Sequence, residues 1–219
     1  MTEQTQALPE IYQGQFGEFT ITEDDRRGVV LYRAALMVAA LSFGIGTGLI
    51  LWQGANPWVL HLVTWLYALF WLALGTSLLL IHIYLSVLHR VLQMFWAIGG
   101  IASLVIVLQS PTPLALTVYQ QPLTLLGVGF TFAALTGIFF KEAFCFDRLE
   151  TKVLTPLVPI LLMGHLLTLF SVTVEQSLLA IWAILFGVFA FRKVMQAIPP
   201  DIGDKSVFTY LKSQRLSSS

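Results

Sequence analysis

The densest group of reactive side chains is the string Phe140, Lys141, Glu142, Ala143, Phe144, Cys145, Phe146, followed by Asp147, Arg148 and Glu150. On a continuing helix Lys141 and Cys145 are four residues apart and share a face, and Glu142 and Phe146 share the next. A thiol among charges is a candidate nucleophile, and a carboxylate beside an ammonium is a candidate acid or base. No histidine adjoins Cys145 in the chain to activate it, so no catalytic residue is assigned. Phenylalanines interleaved with charge also describe a segment lying along a membrane interface, rings in lipid and charged heads in water. That anchor is the plainer expectation.

Histidines come next, because a neutral imidazole at membrane depth is a good ligand for a metal, a haem or a pigment. His82 and His89 are seven apart and would share a helix face, with His89 beside Arg90 at the membrane surface. His61 falls near an end of its apolar run, and His165 falls deepest, just after Gly164. No two histidines stand four apart and Cys145 is the sole cysteine, so a dedicated metal site is not expected, nor is a disulfide framework. His165, His82 and Glu142 are the candidate pigment ligands, with chlorophyll or another pigment as the cofactor class.

The elements that must position these residues are read from hydropathy. Of 219 residues, 57% are hydrophobic and 11% charged, a balance that makes lipid the expected solvent. A membrane-crossing helix needs about 20 mainly apolar residues, and six runs qualify: 34–52, 58–88, 91–108, 123–140, 153–174 and 177–191. At about 1.5 Å per residue the second would reach about 46 Å against a hydrocarbon core of about 30 Å, so tilting or extension into the interface is expected. Only Glu175 and Gln176 part the fifth from the sixth, which leaves a tight interfacial hairpin as an alternative there. The expected fold is therefore an all-α polytopic bundle of six transmembrane helices. A terminal segment (1–33) and a tail (192–219) flank a membrane domain spanning 34–191.

Orientation follows from the basic residues, which concentrate on the inner side of a membrane. With the amino terminus inside, all 12 Lys and Arg residues fall in inner segments. The outer turns (53–57, 109–122 and 175–176) hold none, and Glu175 is their only charge. A wrong span count would destroy this partition, so it supports six spans and places both termini inside. The polar, base-free start at 1–10 does not read as a cleaved signal. Thr22 with Asp25 reads as a helix start, and Pro199, Pro200 and the closing serines read as a mostly flexible tail. Gly44 and Gly48 form a small-xxx-small pair for close helix contact, either within the bundle or with another membrane protein.

The string 140–146, after Thr136 and Gly137 and before Glu150, resembles the signature of a family of uncharacterised integral membrane proteins of cyanobacteria and plastids, a domain of unknown function. The likeness takes in the 17–33 approach to the first span and the span pattern. It implies a thylakoid membrane with the basic side facing cytoplasm or stroma, and it supplies no reaction. The expected function is an accessory or assembly factor of a photosynthetic complex. Its partners would be membrane lipid and photosystem subunits, through Gly44, Gly48, Lys141, Glu142, Phe144, Cys145 and Phe146. A small-solute transporter or channel is the alternative, and a membrane enzyme on lipid, quinone or pigment is the third. The few basic residues are accounted for by topology, which argues against nucleic-acid binding.

Overall fold

A computed structural model describes residues 10–217. The expected lack of a cleaved signal and the final serines fall on residues 1–9 and 218–219, in whole or in part, and those positions lie outside the described residues. The chain opens with a hairpin of β1 (Ile11–Gly14) and β2 (Gly17–Thr20), paired antiparallel from Ile11 with Thr20 to Gly14 with Gly17. Thr22 then caps α1 (Glu23–Gln53) in a reciprocal box: its hydroxyl accepts from the Asp25 amide, and the Asp25 carboxylate accepts from the Thr22 amide at 2.8 Å. The expected helix start is therefore found. A 31-residue helix is about 46 Å long, so its charged first turns extend beyond a hydrocarbon core of about 30 Å.

Asn56 caps α2 (Pro57–Leu80), with Pro57 at the first helical position where its missing amide costs nothing. The long second run does not tilt as one helix. It breaks at residues 81–85 and restarts as α3 (Ser86–Gln109), so His82 sits in a connector and His89 in a new helix. The two histidines do not share a helix face. His89 Nε2 instead donates to the carbonyl of Leu78, one of those left without a partner at the end of α2, at 2.5 Å.

The third connection is not a plain loop. It folds into α4 (Leu114–Gln120), stitched by hydroxyl bonds among Ser110, Thr112 and Thr117 of 2.7–2.9 Å. A short 3-10 turn leads into α5 (Leu125–Phe146), which runs well past the expected end at 140 and stops at Asp147 in a left-handed conformation, φ 50°. Helix α6 (Leu149–Leu166) carries Pro156 and Pro159, and the turn that follows is at 167–171 rather than at Glu175. Ser171 caps α7 (Val172–Met195) and Glu175 lies in its first turn, so the fifth and sixth spans part earlier than the charges indicated.

Six of these helices are long and apolar enough to cross a membrane, as the sequence reading expected. Their principal contacts run α1 to α2, α2 to α3, α3 to α5, α5 to α6, α6 to α7 and α7 back to α1, which closes a ring. Leu36, Phe70, Leu74, Leu135, Phe139, Trp182 and Phe186 fill its centre. The tail expected to be flexible forms α8 (Pro199–Ile202) and α9 (Lys205–Ser217). It docks on the amino-terminal hairpin: Asp204 accepts from the Gln15 amide at 2.6 Å, and Phe16 stacks on Tyr210 at 4.0 Å. The Gln15 amide, with help from Ser206, holds the Asp204 carboxyl below the usual carboxylate range. The hairpin and α9 therefore meet at one end of the bundle.

Close helix approach is made by glycines other than the expected pair. A Cβ at Gly44 or Gly48 would meet nothing within 4 Å, so that pair packs against no other part of the described chain. A Cβ at Gly99 would lie 2.4 Å from the Thr131 backbone nitrogen, because α3 rides directly on α5 there. Between α2 and α3, Trp71 and Trp96 stack at 4.3 Å and each indole donates to the other's backbone carbonyl. Gly99→Ala is expected to force α3 from α5 and cost about 1–3 kcal/mol. Gly44→Ala should change stability by less than about 0.5 kcal/mol. Thermal unfolding of the two variants in mild detergent compares them directly.

Candidate functional site

Two polar regions stand at opposite ends of the ring. At the end where the hairpin meets α9, Lys193 of α7 is fully buried, with its ammonium 2.6 Å from Glu142 Oε2 and bonded also to Asp201 Oδ1. A buried cation of this kind is tolerated only with such partners. Glu142 is equally buried: Lys141 reaches its Oε1 at 2.9 Å and the Tyr32 hydroxyl donates to the same oxygen at 3.4 Å. Arg33 holds Asp201 with two bonds of 2.6 and 2.8 Å and reaches the backbone carbonyls of Gln196 and Ala197. Arg148 bonds the Gln196 amide oxygen at 2.5 Å, and Arg192 bonds Glu150 at 2.7 Å. The Phe146 ring lies 4.1 Å below the Lys193 ammonium, a cation–π contact that adds to its shielding.

This knot ties α1, α5, α6, α7 and α8 together. It absorbs Lys141, Glu142 and Phe146 from the string singled out above. Phe144 and Cys145 turn outward instead, so Lys141 and Cys145 form no joint site although four residues apart. The string forms the last turns of α5, with the Glu142 carboxylate turned inward and the Phe140 and Phe144 rings exposed. Both Glu142 oxygens are committed to protein partners, which leaves it poorly placed as a pigment ligand. Sequence reading missed Arg33, Lys193 and Asp201 as partners, because they lie on three elements and Asp201 falls in the tail. The one local signal was Pro199 and Pro200 directly before Asp201, which restrict the backbone leading to it.

At the opposite end the ring opens into a cavity of about 520 Å³. Its walls come from the second half of α1, the first halves of α2, α5 and α7, and the end of α6, with α4 lying across part of the rim. Between Ser42 and Leu51 of α1 it runs about 14 Å by helix rise, the depth of roughly one leaflet. Phe43, Phe70, Phe132 and Trp182 form its floor, and nearly the whole lining is apolar. Such size and character are typical of a site for a small lipophilic ligand.

His165 stands in this lining at the end of α6, not at mid-span as the sequence reading had it. Its Nδ1 is 2.8 Å from Glu175 Oε1, and its ring stacks on Tyr119 of α4 at 5.1 Å. A carboxylate only accepts, so when the ring is neutral its proton sits on Nδ1 and Nε2 keeps a lone pair. That Nε2 is buried and has no hydrogen-bond partner. Trp182 Nε1, also buried in the lining, is an unpaired donor. Among the described residues no group of three histidine, cysteine or carboxylate side chains is placed to hold a metal ion.

An all-helical ring of six candidate spans, apolar over most of its surface, defines a polytopic membrane protein. The family model described as an uncharacterized integral membrane protein, DUF2301, matches residues 76–210, and the chain belongs to that family. No curated protein and no solved structure matches it.

The knot makes a prediction of its own. Lys193→Met leaves Glu142 and Asp201 buried with one cation fewer, and is expected to cost about 3–5 kcal/mol. Arg192→Ala, at the half-exposed partner of Glu150, should cost about 1 kcal/mol or less. Midpoints of denaturant unfolding in detergent measure both.

Proposed function

We propose that the protein is a membrane accessory factor that holds a lipophilic molecule in the cavity, with the apolar body between the helices and a polar head at the His165–Glu175 rim. The single observation that carries this reading is the leaflet-deep apolar cavity whose lining contains a buried imidazole nitrogen and a buried indole N–H, both unpaired. A binding role needs no catalytic group, and the charged residues at the far end are consumed by one another. A transporter reading finds less support, because the cavity offers few polar groups for a solute.

The setting proposed is a photosynthetic membrane, on the family resemblance, with the basic end facing cytoplasm or stroma by the positive-inside rule. The outward Gly44 and Gly48 of α1, with exposed Phe144 and Cys145, favour contact with a second membrane protein such as a photosystem subunit.

The atoms nearest a Cβ at Gly46 are in the Leu66 and Val63 side chains, at an ordinary 3.8–3.9 Å, and Gly46 lines the cavity, so Gly46→Phe is expected to place its ring there without moving a helix. Mass spectrometry of extracts from protein purified in mild detergent should find an apolar molecule with the wild type and at least about tenfold less with the variant. Equal amounts in the two would count against a cavity ligand. The same wild-type preparation should retain photosystem subunits or their assembly intermediates. For orientation, a cysteine introduced at Ala55 in a Cys145→Ser background should resist membrane-impermeant maleimide added from the cytoplasmic or stromal side, whereas Lys212→Cys should react.

A further inference from the structure

Resting on the cavity reading, the nature of its head group can be read from what the lining leaves unpaired. With Nδ1–H given to Glu175, the Nε2 of the neutral His165 ring offers a lone pair, and none of the described residues donates to it. A buried acceptor without a donor is costly, so its complement is a hydroxyl or N–H rather than a carbonyl, an ether or a bare hydrocarbon. Seven residues further along α7 from Glu175, hence about 10 Å deeper by helix rise, Trp182 presents the opposite valence, an N–H without an acceptor. The surfaces beside these two atoms are flat: Tyr119 lies over the imidazole, and Phe43 and Phe132 lie 4.4 and 5.2 Å from the indole.

A metal at the centre of a planar macrocycle suits this nitrogen poorly. It would need clear space beside Nε2 for the whole ring, and Tyr119 is already stacked on one imidazole face. A hydroxyl needs room for a single oxygen. We propose that the rim of the cavity recognises a quinol-type phenolic head on an apolar tail, its hydroxyl donating to His165 Nε2 while Glu175 fixes the imidazole tautomer. Glu175 is a positioning residue in this arrangement, since it acts through the histidine.

A quinol and its quinone share one shape and differ in whether the head donates, which makes the pair a direct probe. Calorimetric titration of the full-length protein in mild detergent with a short-chain benzoquinol, and separately with the matching benzoquinone, is expected to give at least about tenfold tighter binding of the quinol, about 1.4 kcal/mol. His165→Leu should abolish that preference, and His165→Gln, which keeps an acceptor oxygen, should retain part of it. Glu175→Gln should narrow it.

Equal affinities, a preference for the quinone, or a quinol preference that survives His165→Leu would each overturn the assignment. Failure of both probes to bind would overturn it as well. If Gly46→Phe nevertheless strips a native lipophile from the protein, the cavity reading stands and only the head group is wrong. If that variant changes nothing either, both fail together.

Discussion

The ammonium of Lys193 is sealed from solvent by the protein, and much of the structure follows from that fact. Its ties to Glu142 and Asp201, and Arg33's bonds to Asp201 and the carbonyls after α7, bring together helices distant in the chain. Taking ions out of water is costly, and the arrangement is tolerable only because each carboxylate meets cations on more than one side. The constraint is reciprocal. No one of these charges could be neutralised alone without stranding the others, so the group acts as a register pin for α1, α5, α7 and α8.

Fixing one end of the ring leaves the other free to be hollow. In lipid, helices are not driven together by the hydrophobic effect, so contact must come from close backbone approach, aromatic packing and polar ties. Such contacts include the charged end and the α2–α3–α5 side, where Gly99 meets Thr131 and Trp71 meets Trp96. At the cavity end aromatic rings line the hollow, and α4 and the His165–Glu175 pair form its rim. A rigid end and an open end in one bundle is a sensible construction for a protein that holds a lipophilic guest.

The terminal clasp extends the same logic outside the membrane. The hairpin is only two short strands, marginal by itself, and α9 is too polar to insert. Each is ordered by the other through Asp204, Ser206 and the Phe16–Tyr210 stack, and Lys205 adds a 2.7 Å bond to Asp25 in the first turn of α1. The result is a small cap beside the charged knot, set in place by the capping box of Thr22.

What the sequence by itself determined was the number of spans and the grouping of the charges, because both are properties of composition along the chain. Eighteen or more apolar residues must cross or be buried, and basic residues between such runs collect on one side whatever the helices do next. Thr22 and Asp25 marked a helix start correctly because capping is local. The sequence did not determine where the second run breaks or where the fifth and sixth separate: both turns lie within apolar stretches, so hydropathy does not register them. Nor could it tell that Gly44 and Gly48 face away from the bundle, that Glu142 turns inward to Lys193, or that His165 belongs with Glu175. Those depend on rotation and depth of one helix against another. They were decided only in the tertiary structure, where buried charge must find its counter-charge and close approach must find a glycine.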